Sequence, residues 1–197
     1  KVGEIPGSAR SLLDIALKNC ERLVRLINDI LDIEKIESGK MAFDIKPLPL
    51  RPLVEQAIQA NKAFADGFGV ELTLAPGSDE AAVLADSDRL TQVVTNLLSN
   101  AAKFSPKGEA VLVTLSPLDR LWRITISDKG PGIPDSFKSR IFSKFAQADS
   151  SDTRALSGTG LGLSIVKEIV TALGGAVSFE TAPGQGTSFH VDLPAAD

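Results

Sequence analysis

The sequence predicts an α+β fold: one long bundle helix followed by a two-layer α/β sandwich, a mixed sheet of about five strands with helices on one face. Three observations predict it. Apolar residues recur at three- and four-residue spacing from Ser8 to Ser38. Short β-rich runs then interleave with further amphipathic stretches, and glycine-bearing motifs punctuate the junctions between them. The chain has 197 residues and 43% hydrophobic content, enough for one packed medium domain with an appendage.

In the first segment Leu13, Ala16, Cys20, Leu23, Ile27 and Ile30 form an apolar stripe that Leu17, Val24 and Leu31 widen. Pro6-Gly7 precedes this helix, Ser8 or Ser11 can cap it, and Gly39 follows its last turn. A stripe that wide needs partners beyond the chain's own body. Phe43 to Lys46 alternates like a short strand, and Pro47, Pro49 and Pro52 hand over to a helix running to about Asp66. Val70 to Leu74 and Val83 to Ala85 read as strands, and Asp86 is placed to cap the helix that carries Asn96 and Asn100 to about Lys103. Val111 to Leu115 and Trp122 to Ser127 are β-rich runs joined by Pro117-Leu118-Asp119-Arg120 as a hairpin loop. Asp149 to Ser157, rich in Ser, Asp and Thr, is a candidate lid. A helix follows from near Gly160 to Gly174-Gly175, then strands from Ala176 to Thr181 and Thr187 to Leu193.

The net charge of -4 is scattered, so no basic stripe offers itself to nucleic acid or to anionic lipid. A single cysteine, Cys20, excludes an intrachain disulfide framework and points to a reducing compartment, the cytoplasm. No run of eighteen apolar residues and no signal-like start is present, so this piece is expected neither to contact a membrane nor to be exported. The first residue is Lys1 rather than Met, and the expectation is a piece of something longer.

Four motifs carry the chemistry. Asn96, Asn100 and Lys103 stand at i, i+4 and i+7 and project from one helix face, with Gln92 a turn earlier. Amide oxygens are hard ligands suited to Mg²⁺, and an ammonium pairs with phosphate; a solvated helix face explains the same pattern. Asp128 precedes Gly130-Pro131-Gly132 at a strand end, where a carboxylate could read an exocyclic amine such as that of adenine, or simply make a turn. Gly158-Thr159-Gly160-Leu161-Gly162 opens a helix and lets backbone N–H groups converge on an anion. It follows no strand and lacks Gly-Lys-Ser/Thr, so neither the dinucleotide fingerprint nor the Walker loop fits. Gly184-Gln185-Gly186-Thr187 is the fourth.

Taken together and in order, these motifs resemble the catalytic ATP-binding domain of sensor histidine kinases, within the gyrase, Hsp90, histidine kinase and mismatch-repair ATPase superfamily. Asp88-Arg89-Leu90 through Phe104-Ser105-Pro106 is similar to its N box, Asp128 through Pro134 to its first glycine box and Phe142-Ser143-Lys144-Phe145 to its F box. Gly158 through Leu163 and Gly184 through Thr187 are similar to its second and third glycine boxes. Residues 9–40 resemble the second dimerisation helix.

The resemblance implies a Bergerat-type sandwich over residues 43–197, a partial dimerisation domain over residues 1–42, and ATP with Mg²⁺ as ligands. By it, Asn100 binds Mg²⁺ with Asn96 as second ligand or phosphate partner, and Lys103 neutralises phosphate. Asp128 bonds the adenine amino group, and Gly130, Gly132, Ile133 and Thr187 line the base pocket. Gly158, Thr159, Gly160, Leu161 and Gly162 lie along the triphosphate. Phe142 and Phe145 pack the lid from Ala146 to Ser157, Phe142 with the stronger alternative of plain core packing. The implied activity is phosphoryl donation to a histidine and relay to a response-regulator receiver domain, with homodimerisation through the helical bundle.

The family's acceptor motif is absent, and the one histidine, His190, reads as a strand position. Gln92 stands where some superfamily ATPases carry a glutamate base, and an amide takes no proton from water, so transfer is favoured over hydrolysis. The rival readings are a non-catalytic nucleotide-sensing, docking or phosphatase-supporting module, and a related ATPase of the chaperone or mismatch-repair type.

Overall fold

The computed structural model describes residues 6–147 and 159–196. Helix α1 spans Gly7–Glu37, begins at Pro6 with no side-chain cap, and ends at Ser38 before Gly39 at φ +65°. The capping expected of Ser8 or Ser11 is not realised, because the helix starts earlier than either residue could cap. Most of the α1 apolar stripe stays exposed: Leu13, Leu17, Leu23, Val24, Ile27, Ile30 and Leu31 keep between 37% and 59% of their surface. Packing begins near the C-terminal end, where Ile33 is buried and the helix lies against α5.

The body opens with β1 (Lys46–Pro49), α2 (Leu50–Phe68), β2 (Glu71–Leu74) and β3 (Ala82–Ala85). The strand expected at Phe43 to Lys46 instead runs through Pro47 and Pro49. It is tolerated because β1 pairs on one side only, antiparallel to β3 in a two-stranded ribbon, so residues without an N–H sit where no second ladder is needed. Helix α3 (Ser87–Phe104) starts as expected: the Asp86 carboxylate accepts the backbone N–H groups of Asp88 and Arg89, and its other oxygen takes the Asp44 N–H. Leu90, Val93, Val94, Leu97, Leu98 and Ala101 recur at helical spacing and are buried against α2, α5 and the sheet.

Strands β4 (Ala110–Leu118) and β5 (Leu121–Ser127) form a hairpin. Its turn is Asp119-Arg120 alone, tighter than the four-residue loop expected: Pro117 and Leu118 stay in β4 and Asp119 takes φ +52°. A four-residue helix α4 (Asp135–Lys138), which the sequence pattern did not reveal, precedes α5 (Gly162–Ala172), and β6 (Ala176–Ala182) and β7 (Gly186–Pro194) close the chain.

The main sheet has the order β2-β4-β5-β7-β6, with β2 and β4 parallel and the other pairs antiparallel, a mixed five-stranded sheet as expected. Val113, Ile126, Phe189 and Phe179 align across four strands and join the helix-facing core. The alternate positions form a polar outer face, where Arg123 makes a bidentate pair with Asp192 and Thr125 bonds His190 at 3.0 Å. His190 is therefore a strand residue held by its sheet neighbours. Among the described residues no helix is long and apolar enough to cross a membrane.

Candidate functional site

Asp128 follows β5 directly, and the register that pairs Ser127 with Ser188 sets it beside Thr187 on β7. Its own N–H donates to the Thr187 carbonyl at 2.9 Å. The carboxylate Oδ1 accepts the N–H of Gly130 at 2.8 Å and of Thr187 at 3.2 Å, and the residue is 7% exposed. Both bonds fall on Oδ1. Burial pushes the carboxyl above its usual range, and the two backbone donors oppose that without cancelling it. Gly186 is required here: at φ +89° its backbone runs against the Asp128 carbonyl, and a Cβ would collide with it.

A hydroxyl that the sequence reading missed completes this cluster. Thr181 Oγ1 donates to the Gly186 carbonyl at 3.0 Å, accepts the Ile133 N–H at 2.9 Å, and meets Thr187 Oγ1 at 3.1 Å. It fastens the loop of Gly132 and Ile133 to the β6–β7 hairpin. The structure thus brings Asp128, Gly130, Ile133 and Thr187 together, a buried acceptor framed by rigid backbone.

The helical trio forms the second part of the site. Asn96 Nδ2 reaches the carbonyl of Gly162, the first residue of α5, at 3.5 Å, so this amide joins α3 to the opening of α5 and keeps its oxygen as an acceptor. Asn100 is half-buried one turn on, and its amide makes no hydrogen bond within the described residues. Lys103 lies in the last turn of α3.

Thr159 Oγ1 accepts the Leu161 N–H at 3.3 Å, shaping the segment that leads into α5. Gly160, at φ +73°, is needed because a Cβ would press on the Phe145 backbone at about 3 Å. Phe142 packs edge-on to Phe179 and Phe189, with centroids 6.0 and 6.5 Å away, so it is a core residue. Phe145 is 60% exposed and takes φ +59°, which a bulky side chain rarely adopts. Gly158 and residues 148–157 of the expected lid lie outside the described residues.

Gln92 faces α1 as well as α3. Its Nε2 donates to Asp32 at 2.8 Å, and Arg89 donates to Gln92 Oε1 at 3.0 Å and to Asp32 at 3.3 Å. The signal for this contact was hidden, since its partners are about sixty residues apart.

Among the described residues no group of three or more His, Cys, Asp or Glu could hold a metal ion. Two amide oxygens one turn apart on α3 instead suit a hard cation that keeps its waters and borrows ligand oxygens, which is how Mg²⁺ binds.

Residues 85–197 match the family described as histidine kinase-, DNA gyrase B- and HSP90-like ATPase. The chain is 37% identical over 192 residues to hybrid signal transduction histidine kinase D of Dictyostelium discoideum, covering 95% of this chain and 12% of that protein. It is 36% identical over 197 residues to the signal transduction histidine-protein kinase BarA of Escherichia coli K12, covering 96% of this chain and 22% of that one. The chain therefore spans less than a quarter of either curated relative. The crystal structure of full-length ShkA in complex with AMPPNP superposes with a TM-score of 0.84 at 31% identity, over 98% of this chain and 40% of that one. The chain belongs to the histidine kinase-, DNA gyrase B- and HSP90-like ATPase family, and both curated relatives named above, which match along nearly its whole length, are histidine kinases.

Proposed function

We propose that this chain is the catalytic ATP-binding region of a two-component sensor histidine kinase, acting in the cytoplasm. The observation that carries the reading is Asp128: a buried carboxylate whose Oδ1 is fixed by two backbone N–H groups, so that Oδ2 can accept from the exocyclic amine of a purine. Gly130, Gly132, Ile133 and Thr187 frame the base, and Phe145 shields it. Gly158 to Gly162 would lie along the phosphates, with Thr159 and Leu161 shaping that backbone. Asn100 and Asn96 would hold Mg²⁺, which when bound neutralises phosphate oxygens, and Lys103 would add a charge toward the same group.

These residues bind and orient the donor. Transfer forms a bond between γ-phosphorus and an imidazole nitrogen as the bond to the β,γ-bridging oxygen breaks, releasing ADP. The acceptor is a histidine on another segment, because His190 is committed to the outer face of β7. Residues 1–42 belong to the dimerisation domain and 43–197 to the catalytic domain, and the exposed apolar stripe of α1 supports homodimerisation through a helical bundle. A response-regulator receiver domain takes the phosphoryl group onward.

Calorimetric titration with ATP and GTP in Mg²⁺ tests the base assignment. GTP presents a carbonyl where adenine has its amine, so the Asp128 carboxylate repels it, and ATP should bind at least about tenfold more tightly, a difference of about 1.4 kcal/mol. Equal affinity for the two nucleotides contradicts the reading.

A further inference from the structure

We infer that Asp29 of α1 sets the affinity of the nucleotide site by discriminating among ligands according to their phosphate charge. The inference rests on the nucleotide reading above and adds a residue from the helix to it. The C-terminal half of α1 approaches the seam of α3 and α5 with two carboxylates one turn apart, Asp29 and Asp32. Asp32 is met by the Arg89 guanidinium and the Gln92 amide of α3.

Asp29 reaches the other side of the seam. Its Oδ2 accepts the Thr159 hydroxyl at 3.2 Å, and that hydroxyl oxygen accepts the Leu161 N–H at 3.3 Å. Leu161 is the cap residue of α5, and the next residue, Gly162, is bonded by Asn96. A negative charge thus lies two hydrogen bonds from the backbone that the nucleotide reading assigns to the phosphates. The hydrogen bond positions the segment, whereas the charge opposes an anion arriving there. The opposition grows with each phosphate carried and vanishes for a nucleoside. By linkage, a bound triphosphate loosens the hold of α1 on the Thr159 segment by the same factor.

Asp29→Asn keeps an oxygen for Thr159 and removes the charge. Titration of this variant and the parent chain with adenosine, ADP and ATP, all in Mg²⁺ and low salt, separates the effects. Adenosine affinity should stay within about twofold, reporting an intact base pocket. ATP should bind the variant about fivefold more tightly, the lower end of typical coupling between sites, with ADP between and the difference shrinking at high salt. Thr159→Val should break the bond while keeping the charge, so it should not reproduce the ATP-selective gain. An unchanged ratio of adenosine to ATP affinity in Asp29→Asn overturns the inference, as does loss of adenosine binding, which marks Asp29 as purely structural. A parent chain that binds none of the three ligands instead overturns the nucleotide reading itself.

Discussion

Asp128 has a structural role and a proposed binding role that can be separated by substitution. Oδ1 satisfies the buried N–H groups of Gly130 and Thr187, and Oδ2 is assigned to the adenine amine. Asp128→Ala removes both functions. Two buried donors are then left without partners at about 1–3 kcal/mol each, partly offset because the buried charge, costly enough to raise the carboxyl's pKa, is gone. Asp128→Asn keeps the Oδ1 acceptor and the shape but turns a donor toward a donor. Stability by urea denaturation should therefore fall by roughly 2 kcal/mol or more in the alanine variant and change little in the asparagine variant. ATP affinity by calorimetry should fall in both, by about 10- to 150-fold, the equivalent of the 1.5–3 kcal/mol carried by a hydrogen bond to a charged group. The asparagine variant should also narrow the gap between ATP and GTP. Full ATP affinity in Asp128→Asn, with stability intact, would refute the assignment of Oδ2.

Other residues give further tests. Asn100→Ala should remove most of the Mg²⁺ dependence of ATP binding while leaving adenosine affinity unchanged, as read by titrations with and without the metal. Asp86→Ala frees the N–H groups of Asp88, Arg89 and Asp44 and should lower stability by about 1–2 kcal/mol by urea melting. Gln92→Glu sets a second carboxylate against Asp32, so the hold of α3 on α1 should weaken, seen as faster amide exchange near Ile33. Because the folded-state pKa of Asp128 is raised, its contribution favours folding at low pH and is lost as pH climbs from the unfolded value near 3.8 through the folded one. Asp128→Asn should flatten that part of the curve.

Much of this architecture was legible because its signals are local. The 3.6-residue period of α3, the cap at Asp86 and the glycines flanking α5 each depend on neighbours within a few residues, and the sheet's alternation marked β4, β5 and β7. The errors lie where tertiary context overrode local preference. Pro47 and Pro49 argue against a strand until β1 is known to pair on one side only, with β3, and α4 is too short to show a period. In the site, Asp128 and its glycines were readable from their spacing, but the fastening by Thr181 was not. Its signal lay in the hairpin register that sets Thr181 opposite Thr187. The contacts of Asp29 and Asp32 join residues far apart in sequence and leave no periodic trace.

Supplying γ-labelled ATP and Mg²⁺ to this chain, together with a separately made helical domain carrying an acceptor histidine, measures the proposed donor role most directly. The account predicts acid-labile phosphate on the helical domain, none on this chain, and loss of transfer in Asn100→Ala. Label on this chain itself, or rapid release of free phosphate with none on the acceptor, would contradict it.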